Sequence, residues 1–533
     1  MLLYNVNYKQ PHKHFIDFEL IIEDVQEDFV ELQLAAWRPG RYELQNFSKN
    51  IQSFAFFSDT IESEKGVVLQ GEKISKDRWR VQTKGCKTIS VRYNYYATQM
   101  DAGGTFLDTD LFYVNWITCC LYVEGRQDEP YRVQVQMPKN YHVACGMAQQ
   151  RKAEIVIFDA PSFYHLTASP MLASPTLQHY SYQIENLPTD FHIWIQGKWK
   201  PNVEKLLADF QAFTAEQVKV FGDFPSENYH FLFLVLPYPY HHGVEHYNST
   251  VLVMGADRDA DFNTLKYDDV LAISSHELFH FWNICRIRPA EMLPYDYCKE
   301  NYFKTGFIAE GITTYYGDYF LARSGVWNFA TYKEELDMLF RRHFENFGRY
   351  NHSLLDSSWD LWLDGYTSGI PNRKVSIYVE GALAALVLDL EIRRHTANLH
   401  SLDTVMQVFW AKFGKQEKGY QLADYQAIIS QVAGVSMDNY FQECIAGKGK
   451  IEKWLPRALQ FIGCELLISP SEKLEERYFG FRLVVRDSRL MVGFIEPNSP
   501  ADEVLALTDE ILSIDNQLPT IKNLNELLEN KNQ

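Results

Sequence analysis

His276-Glu277-Leu278-Phe279-His280 constrains this chain more than any other stretch of it. On a helix turning about 100° per residue, the two histidines fall about 40° apart on one face. Two imidazoles so placed can take one Zn²⁺ at about 2.0–2.1 Å each. Glu277 falls about 60° from His280, beside the metal position rather than aimed at it. From there it is placed to take a proton from the attacking water. Residues 270–288 predict a helix opened by Asp268 and Asp269 and closed by Pro289. Leu271, Leu278, Phe281 and Cys285 fall on a different side from the histidines, so the core stripe and the ligand face are separate. Histidines merely satisfied in a core belong on the apolar stripe, and these lie off it.

A catalytic zinc centre takes a third protein ligand and leaves a fourth position open. Glu310 lies in residues 307–316, where Ile308, Ile312, Tyr315 and Tyr319 form a helical stripe that Gly325 can stop. A carboxylate near such a stripe needs a partner, and a metal is one. Glu291 and Glu300 are rivals. Glu291 stands between Pro289 and Pro294 and reads as a loop residue; spacing leaves Glu300 open beside Glu310. Upstream, residues 231–236 form a continuous apolar strand closed by Pro237. Gly243-Val244-Glu245-His246 and a second strand at 249–254 follow. This order predicts a hairpin that sets an edge strand beside the metal helix.

At 533 residues the chain has room for several domains. Residues 1–165 alternate with period two: Ile16, Phe18, Leu20 and Ile22, then Val30, Leu32 and Leu34, then Ile89, Val91, Tyr93 and Tyr95. This predicts an antiparallel β-sandwich. No catalytic constellation stands out there, and His12, His14 and Asp101 read as surface or structural residues. Residues 166–325 hold the metal motif. Residues 326–457 predict helices at 380–394, 403–413 and 422–432, with a loop at 364–374 and Tyr378 opening a helix. Residues 458–533 form another module, with strands at 481–485, 491–495 and 509–515, a short helix opened by 498–501 and a last helix at 523–529. The whole is a multidomain α+β chain.

The 51 basic and 69 acidic residues leave a net charge of −18, which argues against nucleic-acid or anionic-membrane partners. The eight cysteines show no C-x-x-C pair, so a reducing compartment is expected. The first residues lack a signal-peptide pattern and no run reaches 18 apolar residues, so the expected location is cytoplasmic.

In combination these residues resemble the glycyl aminopeptidase family of zinc metallopeptidases, gluzincins with a C-terminal PDZ domain. The resemblance rests on Trp37-Arg38-Pro39-Gly40-Arg41-Tyr42, Gly243-Val244-Glu245-His246, Asn248-Ser249-Thr250 and His276-Glu277-Leu278-Phe279-His280-Phe281-Trp282-Asn283. Arg286-Ile287-Arg288-Pro289, Tyr295-Asp296-Tyr297, Glu310-Gly311-Ile312-Thr313 and Leu386-Val387-Leu388-Asp389-Leu390 continue it. It implies a thermolysin-like catalytic domain at 166–325, an α-helical domain at 326–457 that completes the active site, and a PDZ-like domain at 458–533. It makes Glu310 the third ligand of one Zn²⁺ per chain, with His276 and His280. It assigns Glu245, on the strand of Gly243, to the substrate's free α-amino group, and Tyr378 to the oxyanion. The implied activity removes N-terminal residues, small ones such as Gly or Ala, from peptides.

Three positions depart from the family pattern. Glu380 and Cys285 stand where lysine is usual, and Thr508-Asp509 replaces a Gly-Asp turn. A PDZ-like tail implies capture of a peptide C-terminus near 478–481. Two other functions stay open: a peptide-binding or chaperone-like scaffold with a structural or vestigial zinc site, and a zinc hydrolase of a non-peptide bond.

Overall fold

The computed structural model describes residues 2–58, 67–256, 265–367 and 369–529. In the first domain the period-two alternation does what it predicts. Strand Phe15–Ile22 buries Ile16, Phe18, Leu20 and Ile22 on one side. It lies between Leu2–Asn7 and Ile89–Tyr96 in an eight-stranded sheet. Two four-stranded sheets add residues to the same core, which gives a sandwich-like body. The expected antiparallel arrangement fails at one place: Leu2–Asn7 runs parallel to Tyr131–Gln136. Parallel neighbours need a long crossover, and the stretch between these two strands supplies it. Strand Met171–Ser174 pairs with His142–Cys145 and Phe112–Val114, so this domain's sheets reach past residue 165.

The metal motif sits against a five-stranded sheet, in the order Gln178–Gln183, Asp190–Gln196, Asn228–Leu236, Ser249–Gly255, His241–Glu245. Strand Asn228–Leu236 is central and parallel to both neighbours. Both of its faces are covered, which is why its residues read as one apolar run. His241–Glu245 is the edge strand, in an antiparallel hairpin with Ser249–Gly255, as its sequence predicts.

The ligand helix spans Tyr267–Phe279 and ends at His280, well short of Pro289. Beyond His280 the chain turns, with Cys285 N–H donating to His280 O and Ile284 at a φ of 84°. Asn283 Nδ2 donates to Ile308 O, Ala309 O and Thr313 Oγ1. The helix therefore stops where a tertiary contact takes over.

The predicted helices of residues 326–457 form as Val379–His395, Leu402–Lys412 and Leu422–Ala433. They are not packed as a separate body. One hydrophobic core runs from Phe191 and Phe231 of the five-stranded sheet through Phe279 and Tyr316 to Leu388, Phe409 and Leu459.

The tail forms strands Phe481–Arg486 and Arg489–Ile495 and helix Leu524–Glu529 as expected. The third strand, 509–515, is reduced to the bridges Met491–Glu510 and Ile514–Gln517, and the helix opened by 498–501 is only a turn. Leu512 of this stretch is exposed. Thr508 takes a φ of 73°, a left-handed geometry that a β-branched residue adopts with strain. At the expected carboxylate-receiving loop, Gly480 N–H donates to Glu475 O. The tail docks through Arg482, which bonds Glu345 through both carboxylate oxygens. Among the described residues no helix is long and apolar enough to cross a membrane.

Candidate active site

His276 lies in the last turn of the ligand helix and His280 caps it. Their Nε2 atoms are 3.1 Å apart. Glu310 Oε2 stands 3.4 Å from His280 Nε2 and 3.9 Å from His276 Nε2. Three donors around a tetrahedral ion at 2.0–2.1 Å lie about 3.3 Å from one another, so the triangle has the size of a zinc site. His280 Nδ1 donates to Asn283 O at 3.0 Å, which leaves Nε2 as the lone-pair donor facing the other two. Early termination of the helix is what brings that carbonyl into reach.

Glu310 comes from the turn Phe307–Ile312, which is a π-helix and not the α-helix its spacing predicts; it continues as α-helix Thr313–Arg323. The wider turn is a common device at functional sites. Gly311 allows close approach to Val379–His395: a Cβ built on it would stand 2.5 Å from Gly381 Cα. Neither rival carboxylate joins the cluster. Glu291 is exposed in a 3₁₀ turn and Glu300 is half-buried in a loop, while Glu310 groups with both histidines.

Glu245, Glu277 and His280 form a second cluster that shares His280 with the first. Glu277 lies against the edge strand. A Cβ on Gly243 would come within 2.3 Å of its Oε1, and Thr250 Oγ1 donates to its Oε2 at 3.4 Å. Glu245 sits on the same strand, paired with Thr250. Burial pushes the Glu277 carboxyl up to about 8; His280 opposes this, and Glu245 and Glu310 add to it. Burial also raises Glu245. Against its own burial, His280 is raised to about 10, chiefly by Glu310. Three carboxylates packed this closely call for a cation in their midst, and a divalent ion on the two Nε2 atoms and Glu310 fits that demand.

Tyr378 caps helix Val379–His395. Burial, then the charges of Glu310, Tyr366, Glu245 and Glu277, push its phenol well above the usual range, so it keeps its proton. Its neighbour Glu380 is buried and accepts a hydrogen bond from His343 Nδ1. Cys285 is also inert. Burial lifts its thiol to about 12, and Sγ donates to His246 O.

The first domain, expected to carry no site residue, contributes directly. Gly40, at a φ of 77°, lies so close to Glu245 that a Cβ would stand 2.6 Å from Oε2. The Tyr42 hydroxyl donates to Glu310 Oε1 at 3.4 Å, and Tyr42 N–H donates to the hydroxyl of Tyr366, a residue of the 364–374 loop. A cavity of ≈ 30 Å³ opens beside Glu245, walled by Arg38, His246, Cys285, Tyr295 and Tyr297. Among the residues of the expected loop, 368 lies outside those described. The Trp37–Tyr42 run is the sequence signal that could have marked this contribution.

Residues 3–175 match the Peptidase M61 N-terminal domain, and residues 269–384 match the M61 glycyl aminopeptidase domain. No curated protein matches. Among solved structures, an aminopeptidase N family protein from Idiomarina loihiensis is 27% identical, with a TM-score of 0.89 over 99% of this chain and 92% of that one. An M1 zinc metallopeptidase from Deinococcus radiodurans, in a mutant form bound to a Tyr-Ser-Ala substrate, is 12% identical, with a TM-score of 0.53 over 84% and 93%. A two-domain M1 zinc metallopeptidase bound to L-arginine is also 12% identical, with a TM-score of 0.52 over 84% and 94%. At that identity the M1 likeness is one of fold.

Proposed function

We propose that this chain, which carries the two Peptidase M61 domains and is a metallopeptidase hydrolase, acts as a zinc-dependent aminopeptidase. The observation that supports the proposal is that Glu245 and Glu277 cluster with His280, which also belongs to the zinc-sized triangle of His276, His280 and Glu310. An ion held by these three would supply Lewis-acid polarisation of the scissile carbonyl.

The chain's own residues do the rest. Glu277, held by Thr250 and the open face of Gly243, takes a proton from the attacking water onto its carboxylate and returns it to the leaving amine. The Tyr378 hydroxyl donates to the oxyanion as charge develops there. Glu245 accepts the substrate's ammonium, which fixes the first peptide bond in register with Glu277 and makes cleavage stepwise from the N-terminus. A preference for Gly or Ala as first residue is supported by the match to the glycyl aminopeptidase domain.

The test is zinc content measured together with hydrolysis of Gly-, Ala- and Leu-anilides by wild type and Glu277→Ala. One zinc per chain, with Gly- and Ala-anilide cleaved by wild type only, supports the proposal. Absence of zinc after preparation without chelators would overturn it.

A further inference from the structure

We propose that Tyr42, a residue of the first domain, is a positioning residue for Glu310, the third metal donor. The inference rests on the zinc assignment above. The two oxygens of the Glu310 carboxylate are divided: Oε2 faces the histidine Nε2 atoms, and Oε1 accepts from the Tyr42 hydroxyl. Among the described residues, Tyr42 is the one side chain outside the histidine pair that bonds this carboxylate. The last torsion of a glutamate is broad, so a carboxylate held at one oxygen only is free to swing. A second partner on the other oxygen fixes its plane.

Tyr42 is itself immobilised. It is 1% exposed, its N–H is bonded to Tyr366, and its ring packs on Phe303 at 5.2 Å and on Trp362 at 5.9 Å. Trp37, Ile284 and Ala309, the residue preceding Glu310, belong to the same cluster. The hydroxyl thus arrives from one domain at a ligand of another, on a ring that the packing holds even without its oxygen. Domains far apart in sequence are joined at the carboxylate whose orientation decides how well the ion is held.

The experiment compares wild type, Tyr42→Phe and Phe303→Leu, each stripped of metal and titrated with Zn²⁺ and Co²⁺ against a chelator. The readouts are affinity, the visible spectrum of the Co²⁺ form and the thermal midpoint of the metal-free protein. Tyr42→Phe is expected to lose affinity about tenfold and to change the Co²⁺ spectrum, with the metal-free midpoint unchanged. Phe303→Leu, which keeps the hydroxyl but removes a ring that Tyr42 packs on, is expected to lower the midpoint and to change the spectrum less than Tyr42→Phe does. Equal affinity and an identical spectrum for Tyr42→Phe would overturn the inference, as would an equal spectral change in Phe303→Leu. Failure of wild type to bind either metal would instead overturn the zinc assignment itself.

Discussion

At position 243 the space for a side chain is occupied by Glu277, the proposed general base. A methyl group there would stand 2.3 Å from Glu277 Oε1, so Gly243→Ala must displace that carboxylate. A misplacement of about 1 Å costs a rate factor of about 100. We expect kcat to fall by about that factor with zinc content unchanged, since the three atoms nearest the added methyl all belong to Glu277; metal analysis beside steady-state kinetics checks both. Glu245→Gln keeps the shape but removes the charge proposed to meet the substrate's ammonium. A hydrogen bond to a charged group is worth about 1.5–3 kcal/mol, so kcat/KM on free-amine substrates should fall at least tenfold, mostly through KM. An unchanged KM would remove Glu245 from substrate binding. His276, Glu277 and His280 were legible because their geometry is local, one turn of helix. Glu245 and Tyr378 needed the family resemblance. Tyr42 stood in the Trp37–Tyr42 run of that resemblance, but its contact with Glu310 was not legible, because 268 positions separate the two and only the folded core closes that distance.

Helices and strands were readable where one face decides their burial, and misread where a neighbour decides their end. Nothing local stops the ligand helix at His280, since the apolar run continues; the Asn283 contacts with Ile308 and Ala309 stop it. The π-turn at Glu310 is likewise invisible to periodicity and is accompanied by the crossing with Val379–His395. At that crossing Gly311 and Gly381 meet with backbone against backbone, and a Cβ on Gly381 would lie 2.8 Å from Gly311 Cα. Neither partner atom can rotate away. Gly381→Ala should therefore destabilise by about 1–3 kcal/mol, the usual range for overpacking. It should also lower kcat, because Tyr378 stands one turn earlier on the same helix. A denaturant midpoint equal to that of wild type would mean that the helices separate freely, against the close packing described.

Across the whole molecule, domain divisions drawn along the sequence give way to packing. The metal region and the helices after residue 325 share one core, so unfolding either must expose the other. A half-buried group at that junction then reports on the entire body. Asp318, on helix Thr313–Arg323, is such a group. It borders a small cavity with Thr314, Tyr332, Leu336 and Leu383, and burial, with Glu335 adding and Arg342 opposing, pushes its carboxyl up to about 7. In the unfolded chain the same carboxyl titrates near about 3.9. Between these two values the folded state holds the proton that the unfolded state has released, so stability falls as pH rises through the window, and this loss is complete above about 7. Asp318→Asn keeps a neutral side chain at every pH and escapes the loss. The thermal midpoint of the variant relative to wild type should rise steadily from pH 5 to pH 7 and level off by pH 8. A difference that is flat across that range would show that Asp318 ionises as readily in the folded protein as in the unfolded chain.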